Sequence, residues 1–245
     1  MTVDSISTIT AAILAGGLGT RLRSEVSDCP KVLAQVCGRP FLFHLLDWLG
    51  DTGVSDVVLC TGYRREQVRE TVGDMYRKMR VRYSEEVEPM GTGGALRNAL
   101  PLFSSSTVLV ANGDSFPRVD LSSFLDWHVR RRSQASLVLA RVRDASRFGR
   151  VDTDAAGRIL RFAEKDGRHA TGWINAGVYL FSRERIASVS EGRTCSLEKQ
   201  IFPGWIEQGI YAMKTDGGFI DIGTPESYRE AGAFFSAGTY KKEGR

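Results

Sequence analysis

The sequence predicts an α/β protein with a mixed, mainly parallel sheet flanked by helices. One observation is a series of short, mostly apolar runs, such as Ile9–Leu14, Asp56–Thr61 and Thr107–Asn112, which have the length and composition of buried strands. A second is the helical spacing of apolar residues between the runs. A third is a cluster of glycines directly after the first run, where a strand gives way to a tight loop. Alternation of this kind indicates a Rossmann-like sheet built by right-handed crossovers.

The first half of the chain supplies the alternating elements. Pro40 stands where a helix begins, and apolar residues recur at helical spacing from Phe41 up to Gly50. After the strand Asp56–Thr61, a helix is expected from about Arg65. Its apolar face is formed by Val68, Val72, Met75 and Met79. A short strand over Val81–Ser84 follows.

The pattern changes after Ser136 to short strand-like pieces separated by turn residues. We expect them to wall off one side of a cleft, with antiparallel members, and not to form a second domain. The chain is therefore predicted to be a single domain over residues 1–245, with halves at about 9–134 and 135–235. The pieces are Ala135–Ala140, Gly149–Asp152, Ile159–Glu164 and Trp173–Phe181.

Composition excludes several classes of protein. The formal net charge of +4 is small and spread along the chain, so a nucleic-acid partner is not expected, and Arg130–Arg132 is interpreted as the solvated end of a helix. No apolar run reaches membrane-spanning length and no signal peptide is recognisable, so we expect a cytoplasmic protein without a membrane partner. Cysteines and histidines are scattered, which argues against zinc, disulfides or a histidine role. They are Cys29, Cys37, Cys60 and Cys195, with His44, His128 and His169.

The glycine cluster indicates a phosphate-binding loop. Without side chains at Gly16, Gly17 and Gly19, backbone N–H groups can form an anion-binding concavity, and Arg21 adds donors matched to phosphate. The cluster is not a dinucleotide fingerprint, because Leu22 stands where the third glycine belongs. It is not a P-loop either, because no Gly-Lys-Ser/Thr triplet follows. A further cation, Lys31, comes ten residues after Arg21.

The run from Gly16 to Leu22, followed by Pro30-Lys31, resembles the signature of the sugar-1-phosphate nucleotidyltransferases. The resemblance extends from about Ile9 to Tyr228. It implies the nucleotide-diphospho-sugar transferase fold, with the first half of the chain binding the nucleotide and the second half the sugar phosphate. It also implies that the loop binds the nucleotide through Leu14, Ala15, Gly16, Gly17, Gly19, Thr20 and Arg21.

In this family a segment like Glu85–Ala95 holds the nucleobase. Guanine presents two adjacent N–H donors that suit a carboxylate, so we assign Glu86 to the guanine edge and predict a preference for GTP over UTP or dTTP. Gly91 and Gly94 would let the backbone approach the base. Thr92 and Asn112 complete the predicted nucleotide-binding set.

Two aspartates are predicted to hold Mg²⁺. Asp114 follows an apolar strand and lies beside the glycine loop, whereas Asp221 lies in a short apolar frame before Gly223-Thr224-Pro225. Carboxylate oxygens suit this ion, which takes its remaining ligands from water and phosphates. The resemblance implies the same pair. Either residue could instead be a turn former or helix cap.

The sugar phosphate is expected to meet the second half of the chain. By resemblance, Glu164 and Asn175 bind sugar hydroxyls and Lys165 binds the phosphate, with Gly113, Ala176 and Gly177 nearby. Ser196-Leu197-Glu198 resembles the heptose-phosphate guanylyltransferase branch of the family, which adds Glu198 to the substrate-binding set.

The expected reaction is transfer of a nucleotidyl group from GTP to a sugar 1-phosphate, with release of pyrophosphate. Since the nucleophile is already an anion, the protein must chiefly position charged groups. The predicted catalytic residues are Arg21, Lys31, Asp114 and Lys165. A homodimer is compatible with this reading. The alternatives are a mannose 1-phosphate guanylyltransferase, a thymidylyl- or uridylyltransferase, a glycosyltransferase and a non-catalytic sensor. A glycosyltransferase usually has Asp-x-Asp where this chain has Asn112-Gly113-Asp114.

Overall fold

A computed structural model describes residues 5–22, 25–26, 28–163 and 169–237 of the chain. The strands are β1 (Thr10–Leu14), β2 (Gln35–Val36), β3 (Arg39–Pro40), β4 (Asp56–Thr61), β5 (Met75–Tyr76), β6 (Met79–Glu85), β7 (Thr107–Asn112), β8 (Ser115–Pro117), β9 (Ala135–Val142), β10 (Val151–Thr153), β11 (Ile159–Phe162), β12 (Gly172–Ser182), β13 (Tyr211–Thr215) and β14 (Phe219–Asp221). The helices are α1 (Phe41–Asp51), α2 (Arg65–Val72), α3 (Gly91–Asn98), α4 (Leu121–Arg130), α5 (Arg183–Ala187), α6 (Phe202–Glu207) and α7 (Pro225–Ser236). Short turns of 3-10 helix cover Thr20–Leu22, Lys31–Leu33 and Leu100–Leu102, and a π-helical turn covers Leu197–Ile201.

The central sheet has eight strands in the order β13-β9-β12-β7-β1-β4-β6-β5. Strands β6, β4, β1 and β7 are mutually parallel, as the crossover pattern predicts. Strand β12 runs antiparallel to both β7 and β9, and β5 is antiparallel to β6. The predicted mixed, mainly parallel sheet is therefore confirmed, including antiparallel members in the second half.

The register of β1 shows why its residues are nearly all small and apolar. Ala11 pairs with Val57 and Leu109, whereas Ala12 pairs with Val58 and Val110. Since successive side chains point to opposite faces of a sheet, the two sets belong to two separate cores. Both faces of the sheet are covered, which requires apolar residues at consecutive positions.

Helices cover both faces of the sheet. Helices α1, α2, α4 and α7 pack on one face, and α3, α5 and α6 pack on the other. Helix α1 begins after Pro40, as predicted, and buries Phe41, Leu42, Leu45 and Leu46. The exposed Arg130, Arg131 and Arg132 end helix α4, so their interpretation as a solvated helix end is confirmed.

The second helix is shorter than predicted. Helix α2 ends at Val72, and Gly73 follows with φ of 72°, a left-handed conformation that stops a helix. Met75 then lies in β5 and Met79 in β6, joined by a turn in which Arg77 has φ of 54°. The prediction that Met75 and Met79 extend the apolar face of the helix was therefore wrong. A separation of four residues fits one face of a helix, but it also fits two strands joined by a tight turn.

The carboxyl ends of the parallel strands meet at one edge of the sheet. Leu14, Cys60 and Asn112 are register partners at the ends of β1, β4 and β7. In proteins with an open α/β sheet, ligands bind at this edge, outside the carboxyl ends of the strands. A small hairpin-like pair, β8 with β14, lies beside it and brings Asp221 opposite Ser115. In the described part of the chain, none of the helices has the length and apolar character needed to cross a membrane.

Candidate active site

The glycine loop leaves β1 with its backbone open. Ala15 is held to the sheet edge, because its N–H donates to the carbonyl of Cys60 at 2.8 Å. Among the described residues, a β-carbon at Gly17 would meet nothing within 4 Å, and Thr20 and Arg21 are exposed. Gly19 has φ of 59°, and its missing β-carbon makes room for Lys31. The loop thus presents backbone to solvent beside a lysine, as expected of a phosphate loop.

The structure brings Lys31, Asp114 and Asp221 together. Nζ of Lys31 lies 2.6 Å from Oδ2 of Asp114. A β-carbon at Gly223 would lie 2.5 Å from Oδ1 of Asp221 and 3.5 Å from Nζ of Lys31, so the ammonium is close to both carboxylates. The backbone joins the two aspartates as well, since the Ile222 N–H donates to the Asp114 carbonyl at 2.9 Å.

The Lys31 ammonium keeps Asp114 ionised. Removal from water pushes the pKa of Asp114 upward, but the charge and hydrogen bond of Lys31, with a second bond from Ser115 at 3.1 Å, bring that pKa below its ordinary value. A carboxylate fixed in its charged form is ready to accept a cation. Lys31 itself is largely buried, with 13% of its side chain exposed.

Asp221 is held in place by its own turn. Oδ1 accepts hydrogen bonds from the Gly223 N–H at 2.7 Å and from the Ser227 hydroxyl at 3.3 Å. Thr224 and Ser227 form a capping box at the start of α7, which fixes this turn. Asp221 therefore combines the structural role of a turn former with a position beside Asp114. Its remaining partner is Arg147, with Nη2 3.3 Å from Oδ2.

The donor set at this point fits a magnesium ion. Two neighbouring carboxylates supply the hard oxygen ligands that a divalent cation such as Mg²⁺ prefers. Among the described residues, no cluster of three or more His, Cys, Asp and Glu offers a closed protein cage. Asp114 and Asp221 would hold the ion, and phosphate oxygens would complete its shell.

Glu86 is buried against the glycine loop. The residue is 8% exposed, and Oε2 accepts a hydrogen bond from the Met90 N–H at 2.8 Å. A β-carbon at Gly16 would lie 2.6 Å from Oε1, so this glycine makes room for the carboxylate. Burial raises the pKa of Glu86, only partly opposed by the bond from Met90. By contrast, Glu85 accepts a hydrogen bond from Arg69 at 3.0 Å, so the two neighbouring glutamates have different surroundings.

The glycines after Met90 contact protein. A β-carbon at Gly91 would lie 2.5 Å from the Cys195 carbonyl oxygen, and one at Gly94 would lie 2.6 Å from that of Arg193. The N–H groups of Gly93 and Gly94 donate to the Cys195 carbonyl at 2.9 and 3.3 Å. Close approach of the segment 193–195 is thus one reason for glycine here. The approach of a base to Gly91 and Gly94 stays a prediction.

A polar network links the two halves of the site. Glu198 accepts hydrogen bonds from Thr92 at 3.3 Å, from Ser196 at 2.9 Å and from the Tyr179 hydroxyl at 3.3 Å. The same hydroxyl accepts from Nδ2 of Asn175 at 2.9 Å. The network therefore connects α3, in the predicted base segment, with β12, in the predicted sugar segment. Tyr179 is fully buried, and the sequence pattern around it predicts only an aromatic residue in a strand.

Asn112 and its neighbours lie where β7 meets β12. A β-carbon at Gly177 would lie 2.8 Å from Nδ2 of Asn112, and Gly177 has φ of 74°. Within the described residues, the buried Oδ1 of Asn112 finds no hydrogen-bond partner, as expected of an acceptor that serves a ligand. Gly113 is packed tightly, since a β-carbon there would lie 2.7 Å from the Leu14 carbonyl oxygen. Ala176 is buried beside them.

Some predicted residues are not placed and others are accounted for structurally. Glu164 and Lys165 lie outside the described residues. Each histidine has a partner: His44 faces the Val36 carbonyl at 2.9 Å, His128 the Ser136 hydroxyl at 2.8 Å and His169 the Asp144 carboxylate at 2.6 Å. Burial lowers the pKa of His128 to about 4. These hydrogen bonds account for the histidines without a role in the site.

The glycine loop, the paired aspartates and the sheet topology together define a nucleotidyltransferase. The sequence profile of the family described as "Nucleotidyl transferase" matches residues 10–238, and the chain belongs to this family. The resemblance noted in the sequence is thereby confirmed.

Two of the similar proteins are sugar 1-phosphate guanylyltransferases. The chain is 36% identical to D-glycero-alpha-D-manno-heptose 1-phosphate guanylyltransferase of Aneurinibacillus thermoaerophilus over 90% of this chain and 96% of that protein. It is also 36% identical to mannose-1-phosphate guanylyltransferase of Mycobacterium tuberculosis, covering 90% of this chain but 62% of the longer relative. A crystal structure of HddC from Yersinia pseudotuberculosis complexed with GMP-PN matches with a TM-score of 0.83 and 35% identity, covering 93% of this chain and 99% of that chain. The predicted fold is confirmed by this match.

Proposed function

We propose that this enzyme transfers GMP from GTP to a sugar 1-phosphate, D-glycero-α-D-manno-heptose 1-phosphate, and releases pyrophosphate. The observation that carries the proposal is the convergence of Lys31, Asp114 and Asp221 beside the open glycine loop. The similarity to heptose 1-phosphate guanylyltransferase along nearly the whole length of that relative supports the choice of acceptor.

In the proposed reaction, an oxygen of the acceptor phosphate attacks the α-phosphorus of GTP. A new P–O bond forms as the bond between the α-phosphorus and the bridging oxygen to the β-phosphate breaks, and pyrophosphate leaves with that electron pair. Loop amides and Arg21 bind the triphosphate, while Lys31 adds positive charge. Lys165 orients the acceptor phosphate. A magnesium ion held by Asp114 and Asp221 would neutralise charge on both phosphates.

Glu86 supports guanine as the base. A buried carboxylate with one oxygen tied to Met90 has its other oxygen beside the loop, where it can accept from the N–H donors on guanine. A buried polar pocket of this kind rejects a base that leaves its groups unpaired. We assign Asn175 and Glu198 to the sugar, and Thr92 and Asn112 to the nucleotide. The hydrogen bond from Thr92 to Glu198 and the unpaired Oδ1 of Asn112 among the described residues support this assignment.

The decisive experiment is a matrix of the four nucleoside triphosphates against heptose, mannose, glucose and galactose 1-phosphates, with pyrophosphate release as the readout. We expect the highest kcat/KM for GTP with the heptose substrate and loss of turnover with EDTA. Higher turnover with mannose 1-phosphate would favour the alternative that the Mycobacterium relative suggests. Equal use of UTP would overturn the guanine assignment. If no pair of substrates released pyrophosphate, the protein would be better explained as a non-catalytic sensor. Release of a nucleoside diphosphate from a nucleotide sugar would favour a glycosyltransferase.

We further propose a cytoplasmic enzyme that uses magnesium, forms a homodimer and supplies a nucleotide sugar for surface polysaccharides. Size-exclusion chromatography with light scattering tests the dimer. Metal reconstitution after chelation, comparing Mg²⁺ with Ca²⁺, tests the ion.

A further inference from the structure

Arg147 is a second cation beside the aspartate pair. It lies in the loop between β9 and β10, and its Nη2 is 3.3 Å from Oδ2 and 3.4 Å from Oδ1 of Asp221. The Phe148 ring lies 5.1 Å from the guanidinium carbon and packs edge-on against Phe219 at 5.6 Å. The loop is therefore anchored, and the guanidinium is held at the cleft.

The two aspartates each have their own cation. Lys31 pairs with Asp114 and contacts the glycine loop through Gly19, so it lies on the side of the proposed nucleotide. Arg147 pairs with Asp221 and lies in the loop after β9, the strand that pairs with the proposed sugar segment of β12. The two aspartates are thus each balanced by a cation of their own.

The Arg147 ion pair is suited to exchange. The side chain is 43% exposed, and only Nη2 touches Asp221, whereas a guanidinium has five N–H donors. Ion pairs of this exposure contribute little to stability, so a competing anion can replace the carboxylate at small cost. The planar fork of donors matches a phosphate better than the single-nitrogen contact seen here.

We propose that Arg147 binds the phosphate group of the acceptor sugar 1-phosphate. When a divalent cation binds the aspartate pair, the Arg147 guanidinium leaves Asp221 and pairs with this phosphate group instead. The inference rests on the proposed function. Arg147 becomes a substrate-binding residue alongside Lys165, and Asp221 is kept neutralised at each stage: by Arg147 before the substrates bind and by the metal afterwards.

The test compares Arg147→Met and Arg147→Lys with Arg143→Met. Arg143 is exposed on the same loop and, among the described residues, has no ion pair with an acidic side chain. The first readout is the affinity of the nucleotide-free protein for Mn²⁺, measured by EPR. Removal of a competing cation from Asp221 should tighten binding about 2- to 5-fold in Arg147→Met, with no change in Arg143→Met. The second readout is steady-state kinetics.

In the kinetics, Arg147→Met should raise KM for the sugar 1-phosphate at least about 10-fold and leave KM for GTP within about 2-fold. Arg147→Lys should recover part of that loss because it keeps the charge without the fork. Unchanged Mn²⁺ affinity, or equal effects on both KM values, would overturn the inference while an active wild-type enzyme leaves the proposed function standing. A wild-type protein that releases no pyrophosphate would contradict the proposed function. The Mn²⁺ titration would still decide whether Arg147 competes with a metal ion for Asp221. Thermal unfolding of each variant verifies that it is folded.

Discussion

Nζ of Lys31 lies 2.6 Å from Oδ2 of Asp114, so a cation expected to bind phosphate is paired with a carboxylate expected to hold metal. We predict that Asp114→Asn lowers kcat at least 10²- to 10³-fold, because loss of one preorganised electrostatic group has that effect. Steady-state kinetics at saturating substrates measures it. Asp126→Asn, an exposed carboxyl on α4, is the control. A folded Asp114→Asn enzyme with near-normal kcat would remove Asp114 from the mechanism.

The glycines of the loop differ in what a methyl group would meet. In Gly16→Ala the new β-carbon would lie 2.6 Å from Oε1 of Glu86, so we expect a lower Tm and a higher KM for GTP. In Gly17→Ala it would meet no atom of the described part of the chain within 4 Å, so Tm should stay unchanged. Any rise in KM for Gly17→Ala would then report the close approach of the triphosphate. A lower Tm for Gly17→Ala and an unchanged Gly16→Ala protein would contradict this description of the loop.

Base selectivity should depend on the second oxygen of Glu86. Glu86→Gln keeps an acceptor for the Met90 N–H but replaces the other oxygen by a donor. We predict that kcat/KM for GTP falls about 10- to 100-fold, as expected for loss of a charged hydrogen bond, while the values for UTP and ATP change less. Glu85→Gln is the matched control, since Glu85 accepts from Arg69. A parallel fall for all three nucleotides would mean that Glu86 acts only on the fold.

The raised pKa of Glu86 predicts a pH dependence of GTP binding. Burial raises this pKa, so the carboxyl becomes protonated at a higher pH than an exposed glutamate does. The protonated form no longer offers two acceptors to guanine. KM for GTP should therefore increase as the pH is lowered from neutral to about 5, with a smaller change in kcat. The Glu86→Gln enzyme should lack this increase, and the same slope in both enzymes would exclude Glu86 as its origin.

The architecture was predictable wherever local pattern and tertiary packing agree. Strand β4 was predicted with its observed bounds, because consecutive buried residues leave few alternatives. Helix α3 was missed because Gly91, Gly93 and Gly94 each oppose a helix by about 1 kcal/mol. The helix forms in the fold, where the segment 193–195 packs on these glycines and the Cys195 carbonyl accepts hydrogen bonds from the N–H groups of Gly93 and Gly94.

The residues of the site were predictable where they belong to contiguous sequence motifs. Asp114 and Asp221 are distant in sequence, and the pairing of β8 with β14 brings them together as the resemblance implied. Arg147 could not be selected from the other arginines, since only the folded loop brings it to Asp221. The link from Thr92 through Glu198 to Tyr179 likewise depends on three separate elements.

The Tyr179 hydroxyl should matter to the acceptor more than to the nucleotide. It donates to Glu198 and accepts from Asn175, and Tyr179→Phe would leave both without this partner while the ring packing against Phe181 and Phe202 remains. We expect a loss of about 1 to 3 kcal/mol in the free energy of unfolding, since buried groups lose a partner. KM for the sugar 1-phosphate should rise, because Asn175 can then turn away from the sugar, whereas KM for GTP should change little.

Tyr83→Phe provides the matched control for that variant. The Tyr83 hydroxyl donates to the Gly73 carbonyl, away from the predicted sugar segment, so its loss should lower stability without changing either KM. Denaturant unfolding and steady-state kinetics of both variants separate the two effects. If Tyr179→Phe lost stability as Tyr83→Phe does and kept its KM for the sugar phosphate, the network would be a support for the fold alone. A selective rise in that KM would instead mean that Asn175 needs the hydrogen bond that it donates to the Tyr179 hydroxyl in order to face the sugar.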